Sequence, residues 1–261
     1  MKRDSPQFTR EDHLSRNYEL LQRVAVESGP RRSASPKPLS ARTYEMRPVP
    51  SAHALSHEEL VKLVQAVFLL PGKKSPQVVV FTGAESGAGC SSICAGAAEA
   101  LAANVDEPVC LVDSNLRFPS LHLCLDVENG RGLGEALMDG QPVRECTRRL
   151  PGDDFWLLSG GLKSSSVVGT INSSRLAALI GELRQEFGYI LMDSPPVNVY
   201  SDAISLAQCA DGVVLVLSAN STRKEAARKA KESLEMAGTS LLGAVLNNRT
   251  YPIPQVIYDR L

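Results

Sequence analysis

Short runs of apolar residues alternate with amphipathic stretches over most of the chain. Six runs of four to six residues, rich in Val, Leu and Ile, predict β-strands at Val78 to Phe81, Val109 to Val112, Phe155 to Leu158, Tyr189 to Met192, Gly212 to Leu217 and Leu241 to Leu246. Helical spacing of apolar residues predicts helices at about Ser91 to Ala103, Arg175 to Glu186 and Thr222 to Ala237. Continuous apolar strands separated by helices indicate strands that are buried on both faces, as is typical of a mostly parallel sheet sandwiched between helical layers. The pattern therefore predicts an α/β fold that binds ligands at the carboxyl edge of its sheet.

The first 55 residues follow a different pattern. Residues from about Thr9 to Glu27 predict a short amphipathic helix. Residues 28–51 are rich in Pro, Ser and Arg and carry too little apolar surface to order themselves, which indicates a largely disordered linker. A capping box at Ser56 to Glu59 then begins the next helix. We expect an N-terminal extension over residues 1–55 and one folded domain over residues 56–261.

Composition and charge narrow the classes of function. The chain has 28 Lys and Arg against 29 Asp and Glu, a net charge of −1, which gives no electrostatic reason to expect nucleic acid as a partner. Its six cysteines include no C-x-x-C pair, which fits a reduced cytoplasmic compartment. No run approaches the roughly 20 apolar residues that span a bilayer. We therefore expect a cytoplasmic protein, peripheral to the inner membrane only through a partner.

A glycine-containing loop joins the first predicted strand to the helix that follows. Within residues 82–92, Gly87 and Gly89 allow backbone amides to converge on phosphate oxygens at the positive end of a helix, and Ser91 is placed to bind Mg²⁺. The candidate nucleotide contacts are Ser86, Gly87, Ala88, Gly89, Cys90, Ser91 and Ser92. The alternative is an ordinary glycine turn, because Ala84 and Cys90 stand where a phosphate loop has glycine and lysine.

Two further strands end in an aspartate. Asp113 follows the apolar run at Leu111, and Asp193 follows the run at Ile190. Carboxylates at the carboxyl ends of strands can face a bound Mg²⁺ and its waters. Each aspartate taken alone is equally consistent with a capped loop. Three such strand ends in this order predict a Mg-nucleotide site.

Together these segments resemble the bacterial tyrosine kinases of capsule and exopolysaccharide synthesis, over roughly Ser56 to Leu261. The matching residues are Thr82, Ala84, Gly87, Gly89 and Ser91 in the loop, Asp113, Leu116, Arg117, Pro119 and Ser120 in the second segment, and Asp193 to Pro196 with Asp202 and Ala203 in the third. The resemblance implies a P-loop NTPase fold with ATP or ADP and Mg²⁺ as cofactors. The implied site residues are Asp113, Arg117 and Asp193 for catalysis, Ser91, Asp113 and Asp193 for Mg²⁺, and Asn247 against the base.

The chain departs from the family pattern at functional positions. Cys90 stands at the lysine of the phosphate loop, and Asn115 replaces the second aspartate of the second segment. The lysine would donate charge-assisted hydrogen bonds worth roughly 1.5 to 3 kcal/mol each and would oppose charge that develops during phosphoryl transfer. The tyrosine-rich tail is reduced to Tyr251 and Tyr258. We therefore expect weak nucleotide binding with feeble or absent catalysis.

Two questions follow from Cys90. The first is whether another cation replaces the lysine: Lys73 and Lys74 precede the first strand and should lie at its opposite end, so Arg117 is the better candidate. The second is the role of the thiol. Its place at a helix N-terminus can depress the pKa of a cysteine and make it redox-sensitive, but a small residue that fills space is the preferred interpretation.

The resemblance implies a regulator of polysaccharide polymerisation and export. Its implied partners are a nucleotide, the cytoplasmic segment of a membrane-bound polysaccharide co-polymerase or chain-length regulator, and other copies of the chain in a homo-oligomer. Three alternatives stay open: an active tyrosine autokinase or ATPase rescued by Arg117 or a partner, a scaffold that binds no nucleotide, and a partitioning or septum-positioning ATPase. The last is disfavoured because Glu85 occupies the position of that branch's additional lysine.

Overall fold

The computed structural model describes residues 55–72, 74–152, 154–162 and 173–249, all within the unit Pro50–Leu261. The helix expected at Thr9 to Glu27, the linker, and the tyrosines of the tail lie outside the described residues. Those expectations, and the division into an extension and one domain, stay predictions.

The described residues alternate strands with helices along the chain. The elements are α1 (His57–Phe68), β1 (Val78–Gly83), α2 (Cys90–Ala102), β2 (Val109–Asp113), α3 (Leu121–Cys124), α4 (Leu133–Asp139), α5 (Val143–Cys146), β3 (Arg148–Arg149), β4 (Phe155–Leu158), α6 (Ser173–Glu186), β5 (Tyr189–Asp193), α7 (Asp202–Gln208), β6 (Gly212–Ser218), α8 (Lys224–Met236) and β7 (Leu241–Asn247). All six predicted strands, and the three helices predicted at Ser91 to Ala103, Arg175 to Glu186 and Thr222 to Ala237, are confirmed, with ends that differ by at most two residues. The sequence did not predict the two-residue β3 or the short helices α3, α4, α5 and α7.

The strands form a seven-stranded sheet in the order β3-β4-β2-β5-β1-β6-β7. Every neighbouring pair is parallel except β3 and β4, which are antiparallel. Parallel strands need long crossover connections, and these are supplied by the helices between them. The prediction of a mostly parallel sheet between helices is therefore confirmed.

Successive strand residues point to opposite faces, so the sheet has a hydrophobic core on each side. On one face Val79 and Phe81 pack with α1 and α2, whose buried residues include Phe68 and Leu101. On the other face Val78, Val80 and other strand residues pack with Leu176 and Leu183 of α6, Leu206 of α7 and Leu234 of α8. These layers hold β1, β2 and β5 rigidly, so that the carboxyl ends of the three strands stay fixed relative to one another.

The predicted capping box is confirmed at the start of α1: the Ser56 hydroxyl accepts from the Glu59 amide, and the Glu59 carboxylate accepts from the Ser56 amide. The prediction that every strand is buried on both faces is wrong for β7, where Leu246 is half exposed. As the last strand of the sheet, β7 has a neighbouring strand on one side only.

Among the described residues, no helix is both long and apolar enough to cross a membrane.

Candidate nucleotide and magnesium site

The loop between β1 and α2 lies at the carboxyl edge of the sheet. Gly87 and Gly89 adopt left-handed backbone conformations, with φ of 82° and 80°. A side chain is strained in that region, and a Cβ at Gly89 would also collide with the Asn247 amide. The two glycines therefore allow the tight curvature that a phosphate loop needs, followed directly by the N-terminus of a 13-residue helix. Ser86 and Ser92 are exposed at this edge, and Ala88 is buried beneath it.

The two predicted aspartates are brought together by strand register. Strands β2 and β5 are adjacent and parallel, and Asp113 is the register partner of Asp193. Phe81, which precedes the phosphate loop, is also a register partner of Asp193. Both aspartates are completely buried. The three strand ends named by the sequence therefore meet at one place.

Hydroxyl groups connect the loop to these carboxylates. The Ser91 hydroxyl donates to Asp193 Oδ2 at 2.6 Å, and the Ser120 hydroxyl lies 3.0 Å from Ser91 Oγ. The backbone amides of Ser120 and Leu121 both donate to Asp113 Oδ2 at 2.9 Å. Ser120 thus touches both the loop serine and Asp113. The sequence comparison matched Ser120 to a motif but did not identify it as a site residue.

One oxygen of each carboxylate is left over. Asp113 Oδ1 and Asp193 Oδ1 are buried and have no hydrogen-bond partner. Buried oxygens without a partner are costly, and a divalent cation compensates that cost. The described residues contain no cluster of three His, Cys, Asp or Glu side chains that could hold a metal ion by itself. The donor set fits Mg²⁺, which takes few protein ligands and fills its shell with water and phosphate oxygens.

Burial and proximity make the two carboxyl groups weak acids. Burial raises the pKa of Asp113 to about 6, although the Leu121 and Ser120 amides act in the opposite direction. Burial, and then the neighbouring Asp113 carboxylate, raise the pKa of Asp193 to about 7, against the lowering effect of Ser91 and Cys90. The pair therefore holds protons near neutral pH, which a bound cation would displace.

Cys90 occupies the lysine position beside this pair. Burial, followed by the charge of the nearby Asp193 carboxylate, raises the pKa of the Cys90 thiol well above its usual value. The alternative of a depressed pKa is therefore not supported, and the space-filling interpretation is favoured. A neutral thiol supplies no positive charge to a phosphate. Lys74 lies before β1, at the opposite end of that strand as expected, and Lys73 is outside the described residues.

Arg117 lies in the loop after β2, between Asp113 and Ser120. Its Nε donates to Asp202 Oδ2 at 2.8 Å, and its guanidinium carbon lies 4.4 Å from the centre of the Tyr200 ring. Asp202 is the first residue of α7. The structure thus assigns Arg117 protein partners at the edge of the site, and its role toward a phosphate stays a prediction.

Asn247 lies at the end of β7 and is buried. Its Nδ2 donates to the Ala88 carbonyl at 2.9 Å, while its Oδ1 has no partner. The side chain therefore braces the phosphate loop, and the predicted contact with a base is untested. The Asn115 Oδ1, at the position of the lost aspartate, is also buried without a partner.

Comparisons with known proteins agree with this geometry. The profile of the family described as cellulose biosynthesis protein BcsQ matches residues 76–239. Tyrosine-protein kinase YwqD of Bacillus subtilis is 31% identical over 171 residues, which cover 66% of this chain and 72% of YwqD. The crystal structure of the chimerical protein CapA2B2 is 27% identical with a TM-score of 0.66, covering 74% of this chain and 85% of that one. The Mg-ADP complex of the septum site-determining protein MinD from Pyrococcus horikoshii shares the fold, with 21% identity, a TM-score of 0.58 and coverage of 70% and 76%.

Proposed function

The chain belongs to the BcsQ family of P-loop proteins and to the bacterial tyrosine-kinase family of capsular and exopolysaccharide biosynthesis, and we propose that it is a nucleotide-binding regulator with little catalytic activity. It binds ATP or ADP with Mg²⁺ in the cytoplasm and regulates polysaccharide polymerisation and export. The nucleotide contacts are residues 86–92, and Ser91, Asp113 and Asp193 hold the metal.

One observation supports this proposal above all others. The Ser91 hydroxyl, the first candidate ligand of Mg²⁺, donates to Asp193 and lies next to Ser120, which in turn donates to Asp113. Each carboxylate keeps one buried oxygen without a partner. Two such oxygens beside a hydroxyl, at the N-terminus of a helix that follows a glycine loop, are arranged as a magnesium-phosphate site requires.

The neutral side chain of Cys90 is the reason to propose that catalysis is weak. Binding needs stabilisation of a ground state, which the helix N-terminus, the loop amides and Mg²⁺ supply in part. Phosphoryl transfer needs additional stabilisation of charge in the transition state. A thiol beside Asp193 opposes no negative charge, so turnover suffers more than affinity does.

Isothermal titration of the full chain with Mg-ADP and Mg-ATP tests nucleotide binding. We expect saturable binding that Asp193→Asn weakens by about tenfold to a hundredfold, because the metal loses a ligand. Asp106→Asn is the matched control, since Asp106 is an exposed aspartate away from the three strand ends. Absence of binding by the unmodified chain at millimolar nucleotide would contradict the proposal and leave a scaffold.

Restoring the lysine tests the reason for weak catalysis. Cys90→Lys should tighten Mg-ATP binding by about tenfold to a hundredfold and raise ATP turnover by more, because the ammonium acts in both ground and transition states. Ala103→Lys adds the same charge at the exposed opposite end of the same helix and should do neither. Mass spectrometry of phosphotyrosine should find the unmodified chain essentially unphosphorylated. Stoichiometric phosphotyrosine in that chain would instead support the autokinase.

We propose two protein partners on the same basis. One is the cytoplasmic segment of a membrane-bound polysaccharide co-polymerase, which would bring this chain to the inner membrane. The other is a further copy of the chain. Co-purification with the co-polymerase in detergent, and light scattering of the isolated chain, each with and without Mg-ADP, test these contacts. Lack of association in both states would contradict them.

A further inference from the structure

Arg117 joins the two loops that follow the strands ending in Asp113 and Asp193. The first loop follows β2 and contains Arg117, and the second follows β5 and contains Tyr200. The ion pair with Asp202 is mostly shielded, with 26% of the Arg117 side chain and 20% of the Asp202 side chain exposed. The guanidinium also stacks on Tyr200, an arrangement that favours a cation over an aromatic ring. We call Arg117, Tyr200 and Asp202 the loop clamp.

The first loop ends at the metal site. Three residues after Arg117, Ser120 donates its amide to Asp113 and places its hydroxyl 3.0 Å from Ser91 Oγ. The rest of the loop is anchored unevenly: Leu116 is buried, Pro119 packs against Gly160, and Phe118 is two-thirds exposed. The loop clamp is therefore a polar tie that fixes the loop three residues before Ser120 contacts Asp113.

We infer that Arg117 is a positioning residue for the Mg²⁺ site, acting through Ser120 on Asp113 and Ser91. This inference rests on the proposed function, since it explains how the metal site is held in shape. It differs from the role of a phosphate ligand, in which the guanidinium replaces the missing lysine. In the positioning role the Asp202 carboxylate helps the site, whereas in the phosphate role it competes for the guanidinium.

The two roles predict opposite effects of one substitution. Asp202→Asn breaks the clamp without removing the arginine. If Arg117 positions the loop, Asp202→Asn and Arg117→Ala should both weaken Mg-ADP binding by about tenfold, the size of effect seen when an outer partner of a metal ligand is lost. If Arg117 is a phosphate ligand held back by Asp202, Asp202→Asn should tighten binding while Arg117→Ala weakens it.

Titration of the full chain with ADP in EDTA and then in Mg²⁺ separates metal positioning from phosphate contact. We expect Arg117→Ala to leave ADP affinity in EDTA unchanged and to lose most of the tightening that Mg²⁺ gives. Tyr200→Phe keeps the ring and should behave like the unmodified chain, whereas Tyr200→Ala should not. Glu58→Gln is the control for loss of an ion pair, because the pair of Glu58 with Lys62 is exposed and lies on α1.

Hydrogen exchange gives a readout that needs no nucleotide. The Ser120 and Leu121 amides donate to the buried Asp113 carboxylate, so they should be protected in the unmodified chain. Arg117→Ala and Asp202→Asn should raise their exchange rates by about tenfold, and Glu58→Gln should not. If the unmodified chain binds no nucleotide, the proposed function fails and the exchange rates alone decide the inference. Tighter ADP binding by Asp202→Asn, or unchanged protection in both variants, overturns it.

Discussion

The aspartates at the two edges of the sheet differ in how completely their carboxylate oxygens are hydrogen-bonded. At the amino edge, Asp211 accepts from the Gln77 and Val78 amides at 2.8 Å and from both terminal nitrogens of Arg184 at 3.0 and 2.7 Å. At the carboxyl edge, Asp113 and Asp193 each keep a buried oxygen with no partner. Burial alone would raise the pKa of Asp211, but hydrogen bonds from Arg184 and the two amides lower it overall. The pKa values of Asp113 and Asp193 are raised instead.

The difference separates a carboxylate whose partners lie within the protein from two carboxylates that each lack a partner for one oxygen. Asp211 ties the start of β1 to α6, and every contact it makes favours its charged form. The protein environment destabilises the charged form of Asp193. Proteins tolerate such destabilisation where a bound ligand stabilises the charge. The two unpartnered carboxylate oxygens at the carboxyl edge thus indicate a cation more strongly than the motif of the phosphate loop does. That motif is weakened by Cys90, whereas the unpartnered oxygens do not depend on it.

The largest effect should come from neutralising Asp193. Its pKa of about 7 exceeds the roughly 4 of an unfolded carboxyl, so between those pH values the folded state keeps a proton that the unfolded state loses. Stability of the ligand-free chain therefore falls as the pH rises from about 4 to 7. Asp193→Asn should raise the free energy of unfolding by about 4 kcal/mol at pH 8 and by little at about pH 4. Urea unfolding at both pH values measures this, and a loss of stability at pH 8 would refute it.

A smaller effect of the opposite sign is expected at the amino edge. Asp211→Asn should lower the free energy of unfolding by about 1 to 2 kcal/mol at neutral pH, allowing for the partial exposure of the ion pair. Because the pKa of Asp211 is lowered by folding, its contribution is present above about pH 4 and disappears as the pH falls through the folded pKa. The same urea experiment with Asp106→Asn as control measures it. An unchanged midpoint at neutral pH would remove Asp211 from the structural role.

The smallest effect concerns the coupling between the site carboxylates. Asp113→Asn removes a charge that raises the pKa of Asp193, so the Asp193 pKa should fall by about one unit while that of Asp211 stays constant. Carbon NMR of the aspartate carboxyl groups, titrated in the absence of Mg²⁺, follows both. Equal shifts at Asp193 and Asp211 would show a general loss of structure and no specific coupling.

Much of the fold could be predicted because its signals are local. Apolar runs such as Val78 to Phe81 are too continuous for a half-exposed strand. The helices predicted between these runs imply crossover connections, which make neighbouring strands parallel. The short helix at Leu121 to Cys124 and the strand pair at Arg148 carry too few residues for a periodic pattern. β7 was misjudged because its position at the end of the sheet is a property of the topology.

The residues of the candidate site could be predicted from local sequence signals, but their contacts could not. Asp113 and Asp193 were found because each ends an apolar strand, and such ends share one edge of a parallel sheet. Their direct adjacency needed the register of β2 with β5. The contact of Asn247 with the Ala88 carbonyl joins residues 159 positions apart, and no local pattern encodes it.

The sequence by itself determined the layered fold, the three strand ends and the loss of a positive charge at Cys90, because periodicity, strand length and residue identity are written locally. Only the tertiary structure decided that Arg117 pairs with Asp202, 85 residues away, that the Cys90 thiol has a raised pKa, and that Asp113 and Asp193 lie buried on adjacent strands, each with one unsatisfied oxygen. Side-chain partners, burial and neighbouring charge depend on how distant loops pack together, and these quantities set the pKa values and the fit to a metal.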